Sequence, residues 1–131
     1  MTWPTLKKDD KTRSSANLTG ALRDQFSWSD ARSMLDGLPG GGLNIAHEAV
    51  DRHVAAGNGA QVAIRWISKE GDRRDITYAE LATEAARFAN VLTERGLKPG
   101  ARVYSLLGRV PELYAAALGT LKAGMTFTPL Y

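Results

Sequence analysis

The strand–helix–strand pattern at the C-terminal end constrains the fold more than any other feature of this sequence. Residues 102–107 are predicted to form a strand, and Pro111 suits the first position of a helix that ends at Gly124. Residues 124–131 then enter a second apolar strand. Strands joined through a helix run parallel, almost always with a right-handed crossover. A further strand would need another crossover, so we expect an incomplete sheet and a chain that is the front piece of a longer protein.

A β-hairpin and a capped helix are predicted upstream of this unit. Residues 61–67 read as a strand, and residues 73–76 return as its antiparallel partner after a turn. Thr77 and Glu80 have the spacing of a capping box at the start of a helix that continues through Arg95. The fold class predicted from these elements is α/β, a β-hairpin plus βαβ units with a parallel sheet.

The N-terminal part of the sequence is predicted to be less regular. Residues 1–25 are expected to form a flexible polar tail, with residues 26–131 forming the α/β segment. Ser29 is the predicted N-cap of a short helix, and Asn44 that of a helix ending near Val54. One face of the second helix is predicted to carry Ala46, Ala49, Val50, His53 and Val54.

Charge and composition exclude several kinds of partner. The net charge of +3 arises within residues 1–23, which carry five basic and two acidic residues, whereas residues 24–131 carry twelve of each. The segment expected to fold therefore lacks the basic footprint of a nucleic-acid-binding domain. No apolar run is long enough to span a membrane, and the chain contains no cysteine. We expect a cytoplasmic protein with neither a nucleic-acid nor a membrane partner.

Three short motifs invite a chemical interpretation, and a structural one is favoured for each. Gly37 and residues 40–42 precede a helix but match neither phosphate-binding glycine signature, so a flexible linker is predicted. His47 and Asp51 share a helix face at spacing four, but no third metal ligand is evident nearby. Asp72 and Asp75 flank a hairpin turn, and their ordinary use there is turn formation.

Arg109 is the best-placed candidate for a binding residue. It lies in the loop 108–110, at the carboxyl end of one predicted strand and just before a helix N-terminus. Ligands of open parallel sheets gather at such strand ends. An exposed arginine in a tight turn is the favoured interpretation. We therefore assign no catalytic, cofactor-binding or metal-binding residue to this chain.

The order and spacing of several short blocks carry a family resemblance. The blocks are residues 26–28, 43–46, 51–53, 76–81, 92–100, 102–103, 111–112 and 121–124. Together they resemble the N-terminal part of AMP-forming acyl-CoA synthetases, the adenylate-forming ligase superfamily, and acetate–CoA ligases (acetyl-CoA synthetases) in particular. The resemblance covers residues 26–131 and implies the N-terminal part of the acetyl-CoA synthetase-like fold.

The resemblance implies an enzyme that uses ATP to activate a small, acetate-like carboxylic acid. The carboxylate would attack the α-phosphate, giving an acyl-adenylate and pyrophosphate, and the thiol of coenzyme A would then displace AMP. Magnesium would neutralise the phosphates. The phosphate loop of the family, rich in Ser, Thr and Gly and ending in Lys, is absent from this sequence. ATP, Mg²⁺ and coenzyme A are thus implied for the full-length enzyme, with the remainder of the ligase chain as partner and this segment alone inactive.

Two alternative functions remain open at this point. The first is a stand-alone interaction module built on the same scaffold, which would use its open sheet edge and apolar last strand to dock a partner. The second is a small nucleotide-binding domain that uses the loop at residues 108–112.

Overall fold

The computed structural model describes residues 25–130, which divide into two compact units after Leu35. The predicted tail therefore falls, apart from its last residue, outside the described residues. The first unit contains the short helix α1 (Trp28–Ser33). Its cap is Ser27, whose backbone is extended and whose side chain accepts a hydrogen bond from the Asp30 N–H at 3.3 Å. The prediction of Ser29 as the cap is wrong, because Ser29 already lies inside the helix.

The second unit, residues 36–130, carries a hairpin and a parallel strand pair. Its elements are a π-helical segment (His47–Asp51 and Val54–Asn58), β1 (Val62–Ile67), β2 (Arg73–Thr77), α2 (Tyr78–Glu94), β3 (Arg102–Ser105), α3 (Pro111–Lys122) and β4 (Thr126–Pro129). The strands β1 and β2 pair antiparallel, and β3 and β4 pair parallel across the crossover helix α3. This arrangement confirms the predicted α/β class.

The parallel pair is shorter than the sequence suggests. Arg102 lies opposite Thr126, and Ser105 lies opposite Pro129 at the end of the ladder. The predicted strand ran on to residue 107. Pro129 has no N–H to donate, and the last hydrogen bond of the pair within the described residues runs from the Leu130 N–H to the Ser105 carbonyl at 2.8 Å.

Local signals fix both ends of α2. The Thr77 N–H donates to Glu80 Oε2 at 2.8 Å, and the Glu80 N–H donates to Thr77 Oγ1 at 3.2 Å, which confirms the predicted capping box. At the other end Gly96 adopts a φ of +84°, and its N–H donates to the Thr93 carbonyl at 2.9 Å. A left-handed residue of this kind closes a helix, and glycine adopts it without strain.

The core lies between α2, α3, the hairpin and the π-helical segment. Its buried apolar residues are Ala46, Val50, Ile76, Leu81, Ala85, Ala89, Ala116 and Met125. Three of them, Val50, Ile76 and Leu81, form one cluster. The contact between Ile76 and Leu81 fits the hydrophobic staple that accompanies a capping box.

The π-helical segment departs from the predicted α-helix. As predicted, Asn44 caps the helical run, which begins as α-helix at Ile45 and Ala46 before the π-helical turns, and its Oδ1 accepts from the Ala46 N–H at 2.9 Å. The Arg52 N–H then donates to the His47 carbonyl five residues earlier. This wider turn breaks the 3.6-residue period on which the face was predicted. Ala46 is buried as predicted, but Ala49 is exposed.

Candidate functional site

The loop before α3 occupies the position that the sequence predicted for it. Residues 108–110 follow β3 and end at Val110, whose extended backbone leads into α3 without a side-chain cap. Trp66 of β1 reaches this loop, and its Nε1 donates to the Arg109 carbonyl at 2.7 Å. Arg109 itself is exposed. The structure thus holds the backbone of Arg109 while leaving the residue facing solvent, as the turn interpretation requires.

A small cleft lies where β2 meets the first turns of α2 and α3. It encloses about 190 Å³. Its lining residues are Arg74, Ile76, Glu80, Leu81, Glu84, Pro111, Glu112 and Ala115. Ligand pockets usually enclose about 300–1,000 Å³, so this cleft is too small for a nucleotide. Arg109 is not among the lining residues, and the structure does not bring it together with the acidic side chains of the cleft.

The charged groups of the cleft are engaged in structural contacts. Arg74 Nη1 donates to Glu112 Oε1 at 3.2 Å across the cleft, in a solvent-exposed pair. Hydrogen bonds from the Thr77 N–H and then from the Thr77 hydroxyl lower the pKa of Glu80, and the positive charge of Arg74 acts in the same direction. Glu80 is therefore held as a carboxylate that caps α2, which is a structural role rather than that of a general acid.

A second groove runs between α2 and α3 and is mainly apolar. It encloses about 330 Å³ and is lined by Glu84, Arg87, Phe88, Val91, Leu107, Glu112, Ala115 and Ala116. Its basic side chain is paired, because Arg87 Nη1 donates to Glu84 Oε1 at 2.8 Å. Few polar groups converge here, so the groove has the character of a packing surface rather than of a specific small-molecule site.

The residues considered as metal ligands have other partners. His47 Nε2 lies 2.8 Å from Asp36 Oδ2, and Lys122 Nζ donates to the carboxylate of Asp51. Within residues 25–130, no group of three or more His, Cys, Asp or Glu side chains is placed to hold a metal ion. His47 and Asp51 thus act as tethers of the π-helical segment, the first to Asp36 and the second to the last residue of α3.

Asp72 serves the hairpin turn, as predicted, whereas the prediction for Asp75 is wrong, because Asp75 lies within β2 opposite Arg65. Asp72 contacts Ser68, whose hydroxyl donates to Asp72 Oδ2 at 3.2 Å. Asp75 is bound by two guanidinium groups, those of Arg65 and Arg73, each making two hydrogen bonds between 2.7 and 3.2 Å. These bonds, with that of Arg65 the stronger, hold the pKa of Asp75 far below its usual range.

Glu48 and Asn44 organise the segment before the hairpin, a role the sequence analysis missed for Glu48. Its carboxylate accepts from the backbone N–H groups of Gly37 at 2.7 Å and Asp36 at 3.1 Å, which together with Arg52 lower its pKa. Asn44 Nδ2 also donates to the Leu121 carbonyl at 2.9 Å, at the end of α3. The spacing of Glu48 and Arg52, four residues on a helix, was the one local signal available.

Membrane insertion of a helix finds no support in the part of the chain described. None of the helices within residues 25–130 combines the length and the apolar character needed to cross a bilayer.

Comparison with protein families gives one match that covers more than half of the chain. Residues 51–131 match the model of the family described as AMP-binding enzyme. Among curated proteins, the chain is 42% identical over 109 residues to acetyl-coenzyme A synthetase of Mycolicibacterium smegmatis, covering 82% of this chain and 12% of that protein. It is 44% identical over 91 residues to acetyl-coenzyme A synthetase of Streptomyces avermitilis, covering 70% of this chain and 14% of that protein.

Solved structures agree with the sequence comparisons. An acyl-CoA synthetase of Brucella canis superimposes with a TM-score of 0.74 at 34% identity, over 82% of this chain and 19% of that chain. Acetoacetyl-CoA synthetase of Streptomyces lividans gives a TM-score of 0.61 at 27% identity, over 67% of this chain and 13% of that chain. The chain thus spans between 12 and 19% of the length of these four proteins.

Proposed function

Because this chain belongs to the family of AMP-binding enzymes, we propose that it is a segment of an ATP-dependent acetyl-CoA synthetase. The ligase would activate acetate as acetyl-adenylate, releasing pyrophosphate, and transfer the acetyl group to the thiol of coenzyme A, releasing AMP. The observation that carries the proposal is the 42% identity to an acetyl-coenzyme A synthetase across 82% of this chain. Acetate is chosen over other acids because the Mycolicibacterium smegmatis and Streptomyces avermitilis relatives are both acetyl-coenzyme A synthetases by name.

Within that ligase the described residues supply scaffold. The motif-bearing side chains act as caps and tethers: Thr77 and Glu80 start α2, and Asp51 and Asn44 bind the end of α3. The cleft of about 190 Å³ does not fit ATP or coenzyme A, and no acidic cluster fits Mg²⁺ within residues 25–130. We therefore assign the binding of ATP, Mg²⁺ and coenzyme A, and all catalytic groups, to the remainder of the ligase chain.

The same cleft argues against the alternative of a small nucleotide-binding domain. The Arg109 side chain does not line this cleft. The basic residue that does line the cleft, Arg74, is paired with Glu112. We place the ligase in the cytoplasm, in keeping with a sequence that contains no cysteine and hence no disulfide framework.

The test is acetate-dependent exchange of pyrophosphate into ATP by two proteins. The first is the purified 131-residue chain, for which we expect no exchange above the acetate-free control. The second is a chimera in which residues 26–131 replace the matching segment of the Mycolicibacterium smegmatis relative, for which we expect exchange with acetate. Exchange by the 131-residue chain would refute the scaffold role. A folded chimera that does not exchange with acetate would refute the assignment of residues 26–131 to the scaffold of this ligase.

A further inference from the structure

The side-chain amide of Asn44 caps two helices at once. Its Oδ1 accepts from the Ala46 N–H at 2.9 Å, at the start of the helical run that contains the π-helical turns. Its Nδ2 donates to the carbonyl oxygens of Leu121 at 2.9 Å and Lys122 at 3.4 Å, at the end of α3. One half-buried amide thus supplies the acceptor that a helix start lacks and the donor that a helix end lacks. We call the two bonds to α3 the amide clamp.

The amide clamp acts on the turn that ends α3. Gly124 has a φ of +70°, and its N–H donates to the Leu121 carbonyl at 3.0 Å. The Met125 N–H donates to the Thr120 carbonyl at 3.0 Å, which completes a Schellman motif. The Leu121 carbonyl therefore accepts from the turn and from Asn44 together. Any movement of Asn44 Nδ2 is transmitted directly to the backbone that closes the helix.

The pairing of β4 begins immediately after this turn. The Thr126 N–H donates to the Ala101 carbonyl at 2.8 Å, and Thr126 lies opposite Arg102. The ladder reaches Pro129, so β4 is only 4 residues long. A strand this short has few ladder bonds with which to correct a shift at its start. The amide clamp therefore helps to set where the carboxyl end of β4 lies, and open α/β sheets bind their ligands at that edge.

We propose that Asn44 is a positioning residue of the ligase. By holding the end of α3, it fixes the course of the chain through β4 and into the remainder of the ligase chain, to which the proposed function assigns the binding of ATP. Asn44 acts through the backbone of α3 and touches no substrate itself. This inference rests on the proposed function.

A second tie joins the same two elements, but it is less directional. Lys122 Nζ donates to the carboxylate of Asp51, and both side chains are 28% exposed. Solvent screens such a pair, and the compact charge of an ammonium group imposes little direction on its partner. The Asn44 amide instead faces an N–H group with its oxygen and two carbonyl oxygens with its nitrogen. An oxygen in place of that nitrogen would be repelled by α3.

Two substitutions separate the two capping roles. Asn44→Asp keeps an acceptor for the Ala46 N–H, since aspartate caps a helix about as well as asparagine, but it turns an oxygen toward α3. Asn44→Ala removes both roles. Each is introduced into the chimera that carries residues 26–131, and kcat and KM for ATP are measured in acetate-dependent pyrophosphate exchange. We expect both variants to lower kcat/KM at least about tenfold with a rise in KM, because displaced binding residues lose contact with ATP.

A purely structural role predicts a different result. It would lower kcat in proportion to the unfolded fraction and leave KM for ATP unchanged, because the molecules that remain folded bind ATP normally. That result would overturn the inference. An Asn44→Asp variant as active as the unsubstituted chimera would also overturn it, since only the cap at Ala46 would then matter.

Amide hydrogen exchange in the 131-residue chain reports on the amide clamp without any activity. We expect Asn44→Asp to accelerate hydrogen exchange at the Thr126 N–H at least about tenfold, with the Glu80 N–H at the capped start of α2 unchanged. No acceleration at Thr126, or equal acceleration at both sites, would overturn the inference. If the unsubstituted chimera does not exchange pyrophosphate, the proposed function fails, and hydrogen exchange alone decides whether Asn44 holds β4.

Discussion

Gly119 sets the distance between α2 and α3 in this unit. A Cβ at this position would lie 2.6 Å from the Ala85 carbonyl oxygen and 2.8 Å from Phe88 Cβ. Both distances are far below van der Waals contact, and the first neighbour is backbone that moves only with its helix. A side chain as small as methyl therefore forces the two helices apart, which reduces the packing of the core on both sides.

We predict that Gly119→Ala lowers the free energy of unfolding by about 1–3 kcal/mol, the usual cost of overpacking. The sign of this change in the free energy of unfolding shows whether the site is crowded. In a helix interior without crowding, alanine is favoured over glycine by about 1 kcal/mol, so the same substitution would stabilise the protein. Urea denaturation followed by circular dichroism measures the change. Gly108→Ala is the control, since a Cβ there meets no atom within 4 Å. An unchanged midpoint for Gly119→Ala would contradict the close approach of the helices.

Asp75 gives the hairpin a defined dependence on pH. Its pKa is held far below the ordinary value near 3.8 by Arg65 first and Arg73 second. A carboxyl with a lowered folded-state pKa stabilises the fold above its unfolded-state pKa, and that contribution is lost as the pH falls toward the folded-state value.

We predict that stability declines below about pH 4 and that Asp75→Asn makes this decline shallower. Thermal unfolding across the acid range tests it, with Glu70→Gln at the tip of the same turn as the control. If stability declines equally steeply with falling pH in Asp75→Asn and in Glu70→Gln, Asp75 is not the source of the acid sensitivity.

At the scale of elements, the start of α2 depends on one hydroxyl. Thr77 Oγ1 accepts from the Glu80 N–H, which has no partner within the helix. We predict that Thr77→Ala costs about 1 kcal/mol, the typical value for loss of a cap. Thr83→Ala makes the same chemical change inside α2, where the Thr83 hydroxyl only donates back to the Ala79 carbonyl, and it should be neutral or stabilising. If chemical denaturation gives the same loss in the free energy of unfolding for Thr77→Ala and Thr83→Ala, the cap makes no specific contribution to stability.

Elements with strong local signals were predictable from the sequence. The capping box of α2, Pro111 at the start of α3 and the turn between the two hairpin strands each depend on residues a few positions apart, and the structure confirms all three. The π-helical turns and the early end of β3 were missed, because side-chain periodicity alone does not report an i to i−5 hydrogen bond or the end of a ladder. The choice between Ser27 and Ser29 as cap depends on one backbone conformation, which the sequence leaves open.

The candidate site shows the same division between local and distant information. The position of Arg109 after a strand and before a helix follows from adjacent residues, and the structure confirms it. The bond from Trp66 to the Arg109 carbonyl joins residues 43 positions apart, and the ties from Asn44 and Asp51 to the end of α3 are more distant still. No pattern in a single sequence indicates such distant pairs. The contact that holds the loop is therefore visible only in the structure.

At the scale of the 36–130 unit, the hairpin and the parallel pair are separate sheets that must be held together by contacts outside either ladder. Two polar contacts join the hairpin to the loop before α3 and to the first turn of α3. Trp66 Nε1 donates to the Arg109 carbonyl at 2.7 Å, and Arg74 pairs with Glu112 at 3.2 Å. They differ in kind, because the first uses a half-buried indole and a fixed backbone acceptor, whereas both partners of the second are long, exposed side chains. Exposed ion pairs contribute little to stability, since solvent screens them and ordering the side chains costs entropy.

We therefore predict that the indole, not the ion pair, holds the loop at residues 108–110. Trp66→Phe keeps an aromatic ring but removes the donor, and it should lower the free energy of unfolding by about 1 kcal/mol. Amide hydrogen exchange should also accelerate at the Val110 N–H, whose bond to the Gly108 carbonyl closes the loop. Arg74→Ala is the matched control at the same junction and should leave that exchange rate unchanged. If Arg74→Ala accelerates exchange at Val110 as much as Trp66→Phe does, the two sheets are coupled through charge, and the indole contact is incidental to the placement of the loop.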